Sequence, residues 1–255
     1  MFNLTDLNKI QQSEKGPLAL CVIIGTKGST PRKVGAKMLV TKEGKIFGSI
    51  GGGALEKKVI ENAILVIKEK KTKTFRHDLL NQHNMCCGGT IDIYIEPIMK
   101  KNKLYIFGAG HTGQALAKYA IDMDFETIII DDRKEYLDQI SQPEVNKMPL
   151  DFNQALTLLP FDEQTFVAIM SYDHAIDRNI LAYCIKKPHA YLGMIGSSRK
   201  VEMTKKMFSE AGIASEEELK SVDMPMGIDI KSESPEEIAI SILAKLIETK
   251  YLKLK

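Results

Sequence analysis

Apolar residues change their spacing several times along the chain, and each change predicts an element. "LALCVIIGT", Leu18 to Thr26, is a continuous apolar run that reads as a buried strand. "AKMLVT" and "KIFGSI", separated by Glu43-Gly44, read as a β-hairpin with a glycine-containing connection. After Gly51, Gly52 and Gly53 the spacing becomes helical, with Leu55, Val59, Ile60, Ala63, Ile64 and Ile67 on one face. The basic run Lys68 to His77 reads as a solvated helix end and loop. Ile91, Ile93 and Ile95 then alternate in "TIDIYIEP", as a half-buried strand does.

The polar stretch Met99 to Lys103 is a predicted boundary, giving an N-terminal α+β domain over 1–99 and a second domain over 103–255. Beyond it, strand and helix patterns alternate, which calls for right-handed crossovers and a parallel sheet. "TFVAIM" and "AYLGMIG" are strands; "HAIDRNILAYCIKK" and "SRKVEMTKKMFSEAG" are helices. Ser234 and Glu237 form a capping box around Pro235, and the stripe Ile238, Ile242, Leu246 requires that this last helix dock on a partner element, with a bridge between the domains as one option. The fold class is α/β: a C-terminal Rossmann-like, doubly wound parallel sheet with a smaller N-terminal α+β domain.

Chemistry enters at the strand ends. Gly108, Gly110 and Gly113 stand in a GxGxxG turn between strand and helix, and the next strand ends in Asp131 and Asp132, close to where an acidic residue meets a ribose hydroxyl in dinucleotide-binding folds. Arg133 follows, placed either to receive a 2′-phosphate or another anion, or to sit in water. His111 lies in the glycine turn, facing a ligand or solvent. Asp173, His174 and Asp177 gather at another strand end, where Asp173 serves as a helix cap or the group acts as an acid/imidazole pair. The segments "GAGHTG", "DDR", "SYDHAID" and "GSSRK" are expected to converge on one crevice. In the first half, the N–H groups at Gly51 to Gly53 either bind an anion or form a tight turn.

Composition removes several classes. The formal charge of +2 and the absence of Trp give no field or stacking surface for nucleic acid. No apolar run approaches the ~20 residues of a membrane span, so no membrane partner and a cytoplasmic location are expected. Cys21 and Cys184 sit in apolar runs as small hydrophobes. Cys86 and Cys87 are adjacent, with Cα atoms only about 3.8 Å apart, too close for an ordinary disulfide. They are either packed, or used as thiols beside the N–H groups of Gly88 and Gly89.

Taken together, "GSTPRKVGAKMLV" (Gly28 to Val40), "GSIGGGALE" (Gly48 to Glu56), "CGGTIDIYIEP" (Cys87 to Pro97), and "GAGHTG", "DHAID", "GMIGSSRK" and "SPEEIAISILA" resemble the XdhC/CoxI family over nearly the whole chain. The resemblance implies a maturation factor, with no residue assigned as catalytic. Such a factor binds the molybdenum cofactor (molybdopterin), protects it during sulfuration with a cysteine desulfurase, and delivers it to a xanthine dehydrogenase-type molybdenum hydroxylase. By position, Pro31, Arg32 and Gly35 match the first family loop, Gly51, Gly52, Gly53 and Glu56 the second, and Cys87, Gly88 and Gly89 the third. Cys87 is the implied contact to the cofactor, and a soft thiolate suits molybdenum. Ala54 stands where many CoxI-like members carry cysteine, Tyr172 where histidine is frequent, and Ser198 where arginine is frequent.

A homodimer is expected, since symmetric dimers are the commonest assembly. NAD(P) is a second candidate cofactor. An NAD(P)-dependent oxidoreductase with His111 or His174 as acid/base is the alternative function, and a ligand-sensing regulatory module is a third.

Overall fold

The computed structural model describes residues 7, 9–10, 13–14, 16–82 and 88–252. It divides into two compact units, Met1–Lys100 and Lys101–Lys255.

The first unit is built on an antiparallel sheet of β1 (Leu18–Lys27), β2 (Lys37–Thr41), β3 (Ile46–Gly48), β4 (Lys73–Asp78) and β5 (Thr90–Ile98), in the order β3-β2-β1-β5-β4. Helix α1 (Gly53–Glu69) covers one face, where Leu55, Val59, Ala63, Val66 and Ile67 meet Ala19, Cys21, Ile23, Ile91, Ile93 and Ile95. The cysteine in that contact is a packing residue, and burial pushes its thiol up to about 12. The expectation of a loop over Lys68 to His77 is corrected here: the helix ends at a left-handed Lys70, and Lys73–Asp78 pairs antiparallel with β5. Charge conceals this strand because it lies at the sheet edge, where lysine and arginine guard unpaired backbone against other chains.

The second unit is a five-stranded parallel sheet of β6 (Asn102–Phe107), β7 (Phe125–Ile130), β8 (Asn146–Met148), β9 (Thr165–Ile169) and β10 (Tyr191–Met194). Its order, β10-β9-β6-β7-β8, is that of a doubly wound Rossmann half, and it reverses direction between β6 and β9. Helices cover both faces, with one apolar cluster on each. On one side α2 (His111–Asp122) packs against α8 (Pro235–Leu252), whose Ala239, Ile242, Leu243 and Leu246 are buried in this unit's own core. The capping box of α8 is formed, with Glu237 N–H donating to Ser234 Oγ at 3.2 Å and Ser234 N–H donating to Glu237 Oε2 at 3.0 Å. Among the described residues no helix is long and apolar enough to cross a membrane.

Candidate functional site

In the first unit, one loop collects the glycine motifs. The loop leaves β1 at Lys27 and returns at Lys37, clasped by Gly35 N–H to Ile23 O (2.8 Å) and Ile23 N–H to Ala36 O (3.0 Å). Gly51 lies so near it that a Cβ there would stand 2.7 Å from Pro31 Cγ. Gly88 bridges Ser29, and a Cβ on Gly89 would strike the carbonyl of Ser29 and come within 2.7 Å of that of Lys27. Pro31, Gly51, Gly88 and Gly89, far apart in sequence, are thus brought together. Cys86 and Cys87 lie outside the described residues.

On this scaffold sits an open trough of about 690 Å³, lined by Pro31, Arg32, Lys33, Lys37, Gly48 and Ser49. With Val34, Gly35 and Ala36 the lining comes to nine residues, and its charged members, Arg32, Lys33 and Lys37, are all cationic, which suits an anionic ligand. The glycine turn beside it is held from within. Glu56 Oε1 accepts from Ser49 Oγ (2.6 Å), Gly52 N–H (2.9 Å) and Ile50 N–H (3.2 Å). Burial alone would raise this carboxyl, but the Ser49 hydroxyl and the backbone N–H groups of Gly52, Ile50 and Gly51 together hold it below the usual carboxylate range. The Gly52 N–H is therefore already engaged by a carboxylate of the chain, which favours the tight-turn use of that peptide.

Glu56→Ala is expected to destabilise the first unit by about 2 kcal/mol, because it strands several part-buried donors. With the folded pKa depressed, the stabilisation is complete above the unfolded value of about 4.3 and is lost as pH falls through the folded value. Chemical denaturation of both proteins at neutral and acidic pH measures the difference.

In the second unit, the glycine turn lies at the reversal point between β6 and β9. Gly108 has φ +118°, and a Cβ there would collide with the carbonyl of Met170. One on Gly113 would collide with the carbonyl of Gly108, whereas one on Gly110 would meet nothing within 4 Å. Gly110 is thus the place where backbone is open to a ligand. His111 is exposed at the first position of α2.

Asp131 and Arg133 behave differently from the spacing-based expectation. Asp131 is fully buried, accepting from Ala109 N–H (2.7 Å), Arg133 N–H (3.0 Å), Arg133 Nε (2.9 Å) and Arg133 Nη2 (2.9 Å). Its carboxylate is turned to its own chain, and it braces the glycine turn through Ala109. The Arg133 guanidinium stacks between the rings of Tyr136 (4.1 Å) and Tyr172 (4.2 Å), and the Tyr172 hydroxyl donates to Asp132 at 3.0 Å. Sequence reasoning misses both tyrosine roles; Tyr172 stands out there only as a departure from histidine.

Asp173 takes the structural option, capping α5 (His174–Cys184) by accepting from Ala175 N–H at 2.6 Å. Behind it lies a network of which the sequence shows only the His174–Asp177 part. The buried Asp177 accepts from Ser171 Oγ (2.6 Å) and Ser171 N–H (2.8 Å) through Oδ1, while Oδ2 lies 3.3 Å from His174 Nδ1. The other ring nitrogen of His174 contacts Lys200 Nζ. Burial raises the Asp177 carboxyl above its ordinary value, and the Ser171 bonds and His174 offset only part of that effect. Among the described residues, no cluster of three or more His, Cys, Asp or Glu is arranged to hold a metal ion.

Comparison with known proteins extends these observations. The XdhC Rossmann domain family matches residues 104–246, and the XdhC and CoxI family matches residues 11–78. The chain is 32% identical over 252 residues to YqeB, an uncharacterized protein of Escherichia coli (strain K12), covering 96% of this chain and 46% of YqeB. It is 28% identical over 162 residues to a probable xanthine dehydrogenase subunit of Bacillus subtilis (strain 168), covering 63% of this chain and 47% of that protein. The chain thus spans a little under half the length of these curated relatives. A crystal structure described as a xanthine dehydrogenase from Bacillus halodurans superposes with a TM-score of 0.54 at 22% identity, covering 96% of this chain and 95% of the other. At that identity the likeness speaks to the fold.

Proposed function

We propose that this chain, which belongs to the XdhC and CoxI family, binds the molybdenum cofactor and supports its sulfuration and insertion into a xanthine dehydrogenase-type molybdenum hydroxylase. The observation that carries the reading is the convergence of Pro31, Gly51, Gly88 and Gly89 on one loop beside a trough lined by Arg32, Lys33 and Lys37. Its volume of about 690 Å³ falls in the range of about 300–1,000 Å³ typical of small-molecule sites. Its cations suit the phosphate of a pyranopterin.

In this reading the cofactor supplies the molybdenum centre, and the chain supplies recognition and protection. Arg32, Lys33 and Lys37 attract and orient the phosphate, Glu56 keeps the adjoining turn in shape, and Cys87 is the thiol offered to the metal. The apo-hydroxylase and a cysteine desulfurase are the partners, and a homodimer is the expected assembly.

The rival reading, an NAD(P)-dependent oxidoreductase, is supported by the GxGxxG turn. It is weakened by Asp131, whose oxygens are held by Arg133 and Ala109, and by His174, which is held between Asp177 and Lys200. A reconstitution separates the two. Apo-hydroxylase mixed with molybdenum cofactor, a desulfurase and this chain is expected to gain activity that is absent when the chain is omitted, while the chain alone oxidises no NAD(P)H. Equal activation without the chain, or hydride transfer by the chain itself, would overturn the proposal.

A further inference from the structure

We propose that Lys200 and Arg178 form a binding subsite for a phosphate-like oxyanion on the Rossmann unit, with His174, Asp177 and Ser171 as positioning residues. The site is distinct from the trough of the first unit and does not depend on the molybdopterin reading.

The place is one where parallel sheets bind ligands. His174 follows the carboxyl end of β9 and Lys200 follows that of β10, on helix α6 (Ser198–Glu210). Between them is a small cavity of about 60 Å³, lined by His174, Arg178, Lys200, Met194, Met203 and the buried Thr204. A single water takes roughly 10–15 Å³ by this measure, so the space suits a few waters or one tetrahedral oxyanion. Two of the lining groups, Arg178 and Lys200, are cationic, and no acidic residue is among the lining residues.

Asp177 Oδ2 lies 3.3 Å from His174 Nδ1, so the buried carboxyl group orients the ring. The other ring nitrogen, Nε2, contacts Lys200 Nζ and holds that side chain at the cavity. Lys200 keeps two further N–H donors, and Arg178 contributes its guanidinium fork; both are suited to charge-assisted bonds with an oxyanion. Met194, which is buried, and Met203 supply apolar lining beside these groups. Ser171 holds Asp177 through two hydrogen bonds, so the ring is oriented from a buried anchor rather than from a mobile surface group.

Calorimetric titration of the full chain with inorganic phosphate, and in parallel with phenyl phosphate, tests the site. Saturable binding is expected, and Lys200→Met and Arg178→Met are each expected to weaken it about tenfold, equivalent to one charge-assisted hydrogen bond. Both side chains are solvent-accessible, so thermal unfolding of these variants should match the wild type. Tighter binding of phenyl phosphate than of phosphate would identify the terminal phosphate of a larger ligand; the reverse order would identify the free ion. For the positioning residues, Asp177→Asn is expected to weaken binding and to shift the His174 ring nitrogens in a 15N NMR spectrum. No saturable heat with either probe, or binding unchanged in the Lys200→Met/Arg178→Met double variant, would overturn the assignment.

Discussion

Arg133→Met is expected to cost about 3–5 kcal/mol, because it leaves a fully buried carboxylate, Asp131, with its charge unmatched. For a unit of this size that is a fall of about 10 °C or more in melting temperature. Asp131→Asn is expected to cost less, since an amide oxygen can still accept from Ala109 N–H and the Arg133 guanidinium is partly exposed between its two tyrosine rings. The pH dependence follows from the same pair. Burial acts to raise the Asp131 carboxyl, but the Arg133 side chain, the N–H groups of Ala109 and Arg133, and the Arg133 charge together hold it below the usual range. A depressed folded pKa means that the stabilisation is complete above the unfolded value of about 3.9 and is lost as pH falls through the folded value. Wild type and Asp131→Asn should therefore differ by a constant amount from about pH 5 to 8 and converge in more acidic solution. Urea denaturation at a series of pH values reads this directly.

Gly113→Ala is expected to disrupt the second unit, while Gly110→Ala, three residues earlier, leaves its stability unchanged. The Gly113 Cβ would be driven into the backbone carbonyl of Gly108, and neither a Cβ nor a carbonyl can rotate aside, so relief requires the turn to open. Overpacking of this kind costs about 3 kcal/mol or more. Gly110 has an ordinary φ of −67° and open space around it, so alanine there should shift stability by no more than about 0.5 kcal/mol. Thermal unfolding of the two variants checks the contrast. A comparable loss in both would mean that the turn is not packed as described.

The α/β organisation was legible because its signals are local. The GxGxxG turn, the stripe of the helix that begins at Gly53, and the capping box at Ser234 each occupy a few neighbouring residues, and their backbone demands match their side chains. The strand Lys73–Asp78 was missed because edge position, not alternation, governs its composition: His77 is buried while Lys73, Phe75 and Asp78 are part-exposed. The 22-residue reach from Ala109 to Asp131 was visible as spacing, but not its use. Whether such a carboxylate meets a ligand or its own chain depends on Arg133, whose side chain folds back over two residues and is held there by Tyr136 and Tyr172. The Ser171–Asp177–His174–Lys200 network depended on tertiary structure in a different way. Its first three members fall within one short segment, but Lys200 joins them only because β10 lies beside β9 in the sheet. In the first unit, the family motifs pointed to residues that do meet around one loop, yet Lys33 and Lys37 attract notice only once the loop's path shows the trough they line.

The central claim is that the trough beside this loop receives the molybdenum cofactor. Anaerobic equilibrium binding of purified cofactor to the wild type, Arg32→Glu and Cys87→Ser, with NAD and NADP titrated in parallel, tests it most directly. The account predicts saturable cofactor binding that Arg32→Glu reduces by about tenfold or more, as expected when an attractive charge becomes a repulsive one, and that Cys87→Ser also weakens. Binding of NAD or NADP without binding of the cofactor, or cofactor binding indifferent to Arg32→Glu, would contradict it.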